Sequence, residues 1–193
     1  MIAVDIDDVL FPFVPEFVQF DNARFNGSLS EDDFFNYRFW EVLGIPLDEA
    51  VERVYDFNAA EHSHIEPLYN VKDSLKALSK DYDLVVITAR HPRFADVTDN
   101  WLNTHLEGIF SEVVHIGHAL VVDEPQRKVD VCHKLKAFAL IDDSLDHTSE
   151  CVDEGIEGIL FGNYPWNQSD KLPKGVSRCE DWPAVEEYFN GRG

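Results

Sequence analysis

The chain has 193 residues, 45% of them hydrophobic, which is enough to bury a core in one or two domains and too apolar for a disordered polymer. Its formal net charge of −21 argues against a nucleic-acid polymer as partner, because such binding depends on Lys and Arg against phosphates. Apolar runs such as Leu84 to Ile87 and Ala119 to Val122 fall far short of the roughly 20 residues that cross a bilayer, so no membrane is expected either.

Met1-Ile2-Ala3-Val4-Asp5 lacks the basic start and long apolar stretch of a signal peptide, and points to a cytoplasmic location. Ile2 to Ile6 reads as a first strand that runs straight into acids at Asp5, Asp7 and Asp8. Carboxylates there stand at the strand's carboxyl end, where open α/β sheets place their ligands. Positions i and i+2 share a face, so Asp5 and Asp7 converge on one ligand, the first suited to nucleophilic attack and the second to general acid–base work. An acidic turn is the plain alternative.

From about Phe13 to Glu66 the alternation of strand and helix breaks, and a stretch this long needs structure of its own. Asn26-Gly27 and Gly44-Ile45-Pro46 punctuate it into predicted helices near Glu16 to Phe25, Asp32 to Val42 and Asp48 to Ala59. The predicted organisation is a small helical cap over 13–66, inserted into a core of 1–12 and 67–193. The cap is dense in aromatic residues, among them Phe13, Phe17, Phe34, Phe39 and Trp40. Aromatic faces stack on nucleobases, which makes Phe13 and Phe17 candidate substrate platforms, although a small cap needs bulky residues for its own core.

Beyond the cap, Val71, Leu75 and Leu78 lie three or four apart and predict an amphipathic helix, as do Phe94, Val97, Trp101 and Leu102. Between them Leu84 to Thr88 is a predicted strand ending in Thr88-Ala89-Arg90, where a hydroxyl, turn N–H groups and the cations Arg90 and Arg93 suit phosphoryl oxygens. Val113 to Ile116 is the next strand. His62-x-His64 and His115-x-x-His118 lack further ligands at zinc-site spacing, and Cys132, Cys151 and Cys179 contain no CxxC pair.

Lys128 opens a predicted helix, where its charge opposes the macrodipole and calls for a reason. Phe138 to Ile141 is a buried-looking strand ending in Asp142-Asp143-Ser144; adjacent acids repel unless a cation sits among them, and magnesium fits. Gly158 to Phe161 is the last predicted strand, and Asp181 caps a terminal helix running toward Phe189. The fold class is α/β, a Rossmann-like parallel sheet flanked by helices.

Asp5-Ile6-Asp7-Asp8-Val9, Thr88, Lys128 and Asp142-Asp143, in this order, resemble the motifs of the haloacid dehalogenase-like phosphatases. The cap placement and Phe161-Gly162-Asn163-Tyr164-Pro165-Trp166-Asn167 further resemble the 5′(3′)-deoxyribonucleotidase group and its uncharacterised relatives. The resemblance implies an aspartyl-phosphate on Asp5, Asp7 as general acid and base, and a phosphoryl group held by Thr88 and Lys128. It implies Mg²⁺ bound by Asp5, the Asp7 backbone carbonyl and Asp142 or Asp143. Asp8 departs from the pattern, standing where these nucleotidases commonly carry glycine. The function so implied is hydrolysis of a small phosphate monoester, with nucleoside monophosphates leading, by a monomer or homodimer. A sugar or polyol phosphatase and a catalytically silent binding module of the same fold are the alternatives.

Overall fold

The computed structural model describes residues 1–118 and 126–191; the Ala119 to Val122 run lies outside them. Six strands form one parallel sheet: β1 (Ile2–Val4), β2 (Leu84–Thr88), β3 (Val113–His115), β4 (Ala139–Asp142), β5 (Glu157–Phe161) and β6 (Val176–Cys179). Their order is β3-β2-β1-β4-β5-β6. The chain grows to one side of β1 and then returns to its other side, so a crevice opens at the carboxyl ends of β1 and β4. Register places the acids there: Val4 pairs with both Val86 and Ile141, which sets Asp5 beside Asp142. The Asp5 N–H donates to Ile141 O at 2.9 Å.

The central strands β1, β2 and β4 are buried on both faces by helices, as the continuous apolar runs predict. Between β1 and β2 lie α1 (Phe13–Phe25), the short α2 (Phe39–Leu43) and α3 (Leu47–Asn58), followed by α4 (Val71–Leu78). The remaining helices are α5 (Ala95–Leu106), α6 (Lys128–Leu135), α7 (Leu145–Asp153) and α8 (Trp182–Asn190). Asp181 caps α8 as expected, its carboxylate accepting from Ala184 N at 2.9 Å. Among the described residues no helix is long and apolar enough to cross a membrane.

Three differences from the sequence-based expectation have local causes. The single helix expected over Asp32 to Val42 is a 3₁₀ turn at Glu31–Asp33 and then α2. Asp33 bonds back to Ser30, and Asn36 Oδ1 accepts from Arg38 N at 2.7 Å, so polar side chains take backbone groups that a continuous helix would use. The strand β6 was not expected, because Val176-Ser177-Arg178-Cys179 is a short edge strand with two polar members. Helix α7 is a further element beyond the sequence-based expectation; it starts at Ser144, whose hydroxyl accepts from His147 N.

Most aromatic residues between β1 and β2 build core. Phe17 and Phe34 are buried, and Phe17 packs edge-on against Phe34, Phe39 and Phe57. On the other side of the sheet crest, Gly162 turns the chain at φ 76, where a Cβ would run into the Tyr164 ring. This turn carries Trp166 back to the acids.

Candidate active site

Lys128, at the first turn of α6, is 2% exposed and reaches the end of the sheet. Its Nζ lies 2.8 Å from Asp5 Oδ1 and 2.7 Å from Asp142 Oδ2, which explains a cation placed against the macrodipole. Apart from this ammonium, the buried Asp5 Oδ1 has no partner among the described residues. Burial pushes the Asp5 carboxyl up to about 6, with Lys128 opposing and Asp142 and Asp7 adding to the rise. Burial also disfavours ionised Asp142, but Lys128 and then His147 outweigh it and hold that group well below the carboxylate range. Conversely Asp142 and Asp5 outweigh the burial of Lys128 and raise it.

Asp143 completes the cluster. Ligand atoms of Asp5, Asp142 and Asp143 all lie within 4.8 Å of one another. Burial, then Asp142, pushes Asp143 well above the usual range. Its Oδ2 accepts from Trp166 Nε1 at 2.7 Å, and its carbonyl accepts from the Tyr37 hydroxyl at 2.7 Å and from Asn167 Nδ2 at 3.0 Å. Three buried carboxyl groups share one buried ammonium, so ionising all three calls for further positive charge.

The Asp7 side chain stands apart from that cluster. It faces Arg90 in a forked ion pair, with Nη2 and Nε at 2.7 and 3.0 Å from Oδ1. Arg90 is itself buried, donates to Thr98 Oγ1 and stacks over Phe11. Thr88, the last residue of β2, is fully buried; its hydroxyl oxygen accepts from Arg90 N at 3.1 Å, which leaves the proton to donate elsewhere. Asp8 occupies left-handed space at φ 53 and uses its side chain as well: Oδ1 accepts from Val14 N at 3.1 Å, capping α1 from the preceding loop. Glycine could supply the turn but not the cap.

A cavity of about 360 Å³ opens above these groups. Its floor includes Asp5, Asp7, Lys128 and Asp143, with Ala89 and Arg90 at the side; facing them are Phe13, Phe39, Trp40, Val51 and Tyr55. Of the two candidate platforms Phe13 lines the cavity. Phe17 does not: it is fully buried behind Phe13, ring centroids 6.0 Å apart, and serves as packing. Thr88 is likewise not on the lining, and Arg93 lies outside it, stacked 3.7 Å over Tyr55. Tyr37, one of the cap aromatics, and His118 of the His115-x-x-His118 pair border the cavity, as do His147 and Asn58, to which the sequence-based expectation gives no role. For His147 a signal existed, since it stands three residues into the helix that Ser144 caps, one turn from Asp142.

The family model described as 5′ nucleotidase, deoxy (pyrimidine), cytosolic type C protein matches residues 1–190. The chain belongs to this family. It is therefore a phosphate-ester hydrolase of the nucleotidase class on the haloacid dehalogenase-like fold. A relative of this chain, the "Putative nucleotidase YqfW" of Bacillus subtilis, is 26% identical over 98% of this chain and 93% of its own. Among solved structures, a haloacid dehalogenase-like family hydrolase of Streptococcus pneumoniae superposes with a TM-score of 0.70 at 17% identity, covering 97% of each chain. The "putative HAD-hydrolase YfnB" of Bacillus subtilis, bound to magnesium, superposes with a TM-score of 0.63 at 13% identity over 98% of this chain and 97% of that one. These two likenesses bear on the fold of the nucleotidase.

Proposed function

We propose that the protein is a Mg²⁺-dependent 5′-nucleotidase that hydrolyses (deoxy)nucleoside monophosphates through an aspartyl-phosphate on Asp5. The observation that carries this reading is the cluster of Asp5, Asp142, Asp143 and Lys128 beneath a small, aromatic-walled cavity. About 360 Å³ suits a small monoester and is too little for a polymer. The family description, deoxy and pyrimidine, favours a nucleotide, and its cytosolic type supports a cytoplasmic location.

The donor set fits a hard divalent cation: all-oxygen, buried, short of positive charge, and with Asp5 Oδ1 meeting only the Lys128 ammonium among the described residues. Asp5, Asp143 and Asp142, with the Asp7 carbonyl, would hold the ion. Bound Mg²⁺ would balance the charge of carboxylates against a phosphate dianion and polarise the phosphoryl group.

The chain's own groups divide the remaining work. An Asp5 carboxylate oxygen attacks phosphorus, and the ester P–O bond breaks as Asp7 gives its proton to the departing alkoxide. Asp7 then takes a proton from water, the water oxygen attacks phosphorus, and the P–O bond to Asp5 breaks, freeing inorganic phosphate. Arg90 holds the Asp7 side chain in place for both transfers. Lys128 screens the repulsion between Asp5 and Asp142 and offers its charge to the phosphoryl oxygens, joined by the turn at Ala89, which Thr88 braces by accepting from Arg90 N. Residues 13–66 act as a cap over the core of 1–12 and 67–193, excluding water from the reacting centre. Tyr37 ties that cap to the acidic loop through its bond to Asp143 O.

Hydrolysis of a deoxynucleoside monophosphate is expected to need added Mg²⁺ and to fall to background in excess chelator. A panel of nucleotides, sugar phosphates and p-nitrophenyl phosphate, assayed for released phosphate with each condition, checks this. Undiminished rates in chelator would remove the metal from the reading, and turnover confined to sugar phosphates would remove the nucleotide.

A further inference from the structure

Helix α3 lays one face along the cavity: Leu47, Ala50, Val51, Val54, Tyr55 and Asn58 line it at the three- and four-residue spacing of a helical stripe. The stripe is graded. Leu47 is 41% exposed and stands at the open mouth, whereas Asn58 is 7% exposed and lies about 16 Å further along the axis, at 1.5 Å per residue. This far end packs toward the side of the cavity where Phe11 and Arg90 back Asp7. Phe57 packs 5.1 Å from Phe13 and 6.3 Å from Phe11, and Phe11 carries the Arg90 guanidinium that holds Asp7. Tyr55 packs 5.8 Å from His91, next to Arg90.

Asn58 Oδ1 is buried and has no hydrogen-bond partner among the described residues. The other cap amide on the lining, Asn36, is half-buried and committed, its Nδ2 donating to Glu41 and its Oδ1 accepting from Arg38 N. An unpaired buried acceptor is destabilising, and such groups persist where function uses them. Asn58 lines the cavity but its Oδ1 is sealed from it, so engaging a ligand takes a rotation about Cβ–Cγ, which is soft for a carboxamide.

We propose that Asn58 is a specificity-determining residue: its carboxamide accepts a hydrogen bond from a free hydroxyl on the sugar of the leaving group. The inference rests on the nucleotidase reading and adds to it a place for each part of the substrate. The phosphate sits at Asp5, the sugar hydroxyl beside Asn58, and the flat base along Val54 and Val51 toward the mouth. A base N–H is not the partner of Asn58, because the base lies beyond the sugar, on the apolar part of the stripe.

The test compares kcat/KM for a 2′-deoxynucleoside 5′-monophosphate and its 2′,3′-dideoxy analogue, in the wild type and in Asn58→Leu and Asn58→Ala. The wild type is expected to favour the hydroxyl-bearing substrate by about 10- to 100-fold, the scale of a single hydrogen bond whose loss leaves a buried acceptor unpaired. Both variants should bring that ratio close to one. Asn58→Leu should also keep or raise the melting temperature, because it removes an unpaired acceptor. A ratio near one in the wild type, a ratio unchanged in the variants, or a marked loss of thermal stability in Asn58→Leu would overturn the assignment. Failure to hydrolyse either nucleotide while p-nitrophenyl phosphate is turned over would overturn the nucleotidase reading and the inference with it. A hydrolysed deoxynucleotide with an unaltered ratio would overturn the inference alone.

Discussion

Asp5→Asn is expected to lower kcat about a millionfold, the scale seen when a covalent hydrolase loses its nucleophile. An amide oxygen is too weak a nucleophile to form the phosphoryl-enzyme, while its shape preserves the packing around Ile141 and Lys128. Asp7→Asn should cost less, about 10²- to 10⁴-fold, because it removes proton transfer and leaves attack by Asp5 in place. Its penalty should shrink for p-nitrophenyl phosphate, whose leaving group needs little help from an acid. Single-turnover rates with Mg²⁺ present, alongside circular dichroism to confirm folding, check both. An Asp5→Asn loss no larger than that of Asp7→Asn would mean that water attacks phosphorus directly.

The second large effect is on stability. Lys128→Met should destabilise the protein by about 3 to 5 kcal/mol, the cost of breaking a buried ion pair from one side. The lysine is the cation between Asp5 and Asp142, each of them at least nine-tenths buried, and its removal strands both carboxylates without their shared partner. Methionine retains most of the packing volume, so the loss is electrostatic rather than a cavity. Urea unfolding in chelator, with the m-value unchanged, measures it. A loss below about 1 kcal/mol would show that the two carboxylates find other compensation.

What the sequence makes legible is the sheet and the acids at its edge. Continuous Val, Ile and Leu runs ending in Asp5, Thr88 and Asp142 announce parallel strands and their carboxyl ends, because both faces of such strands are buried. What stays hidden depends on three-dimensional neighbours. Phe13 and Phe17 are alike in sequence, four apart on one helix, yet one faces the cavity and the other is sealed by Phe34 and Phe39. Arg90 reads as a phosphate ligand beside Thr88, but in the fold its guanidinium goes to Asp7, 83 positions away. Tyr37 meets Asp143 across 106 positions, a contact that no local pattern encodes. Asp8 is the reverse case. The departure from glycine was visible, and only the structure supplies its compensation, a carboxylate that caps α1.

The central claim is the covalent intermediate on Asp5. Enzyme mixed with a deoxynucleoside monophosphate and Mg²⁺, quenched in acid and treated with borohydride, would have any aspartyl-phosphate reduced to homoserine, which mass spectrometry of the N-terminal peptide locates. The predicted result is homoserine at position 5, formed only with substrate and absent in Asp5→Asn. An unmodified Asp5 in enzyme quenched during rapid steady-state turnover, or homoserine at another aspartate, would contradict the account.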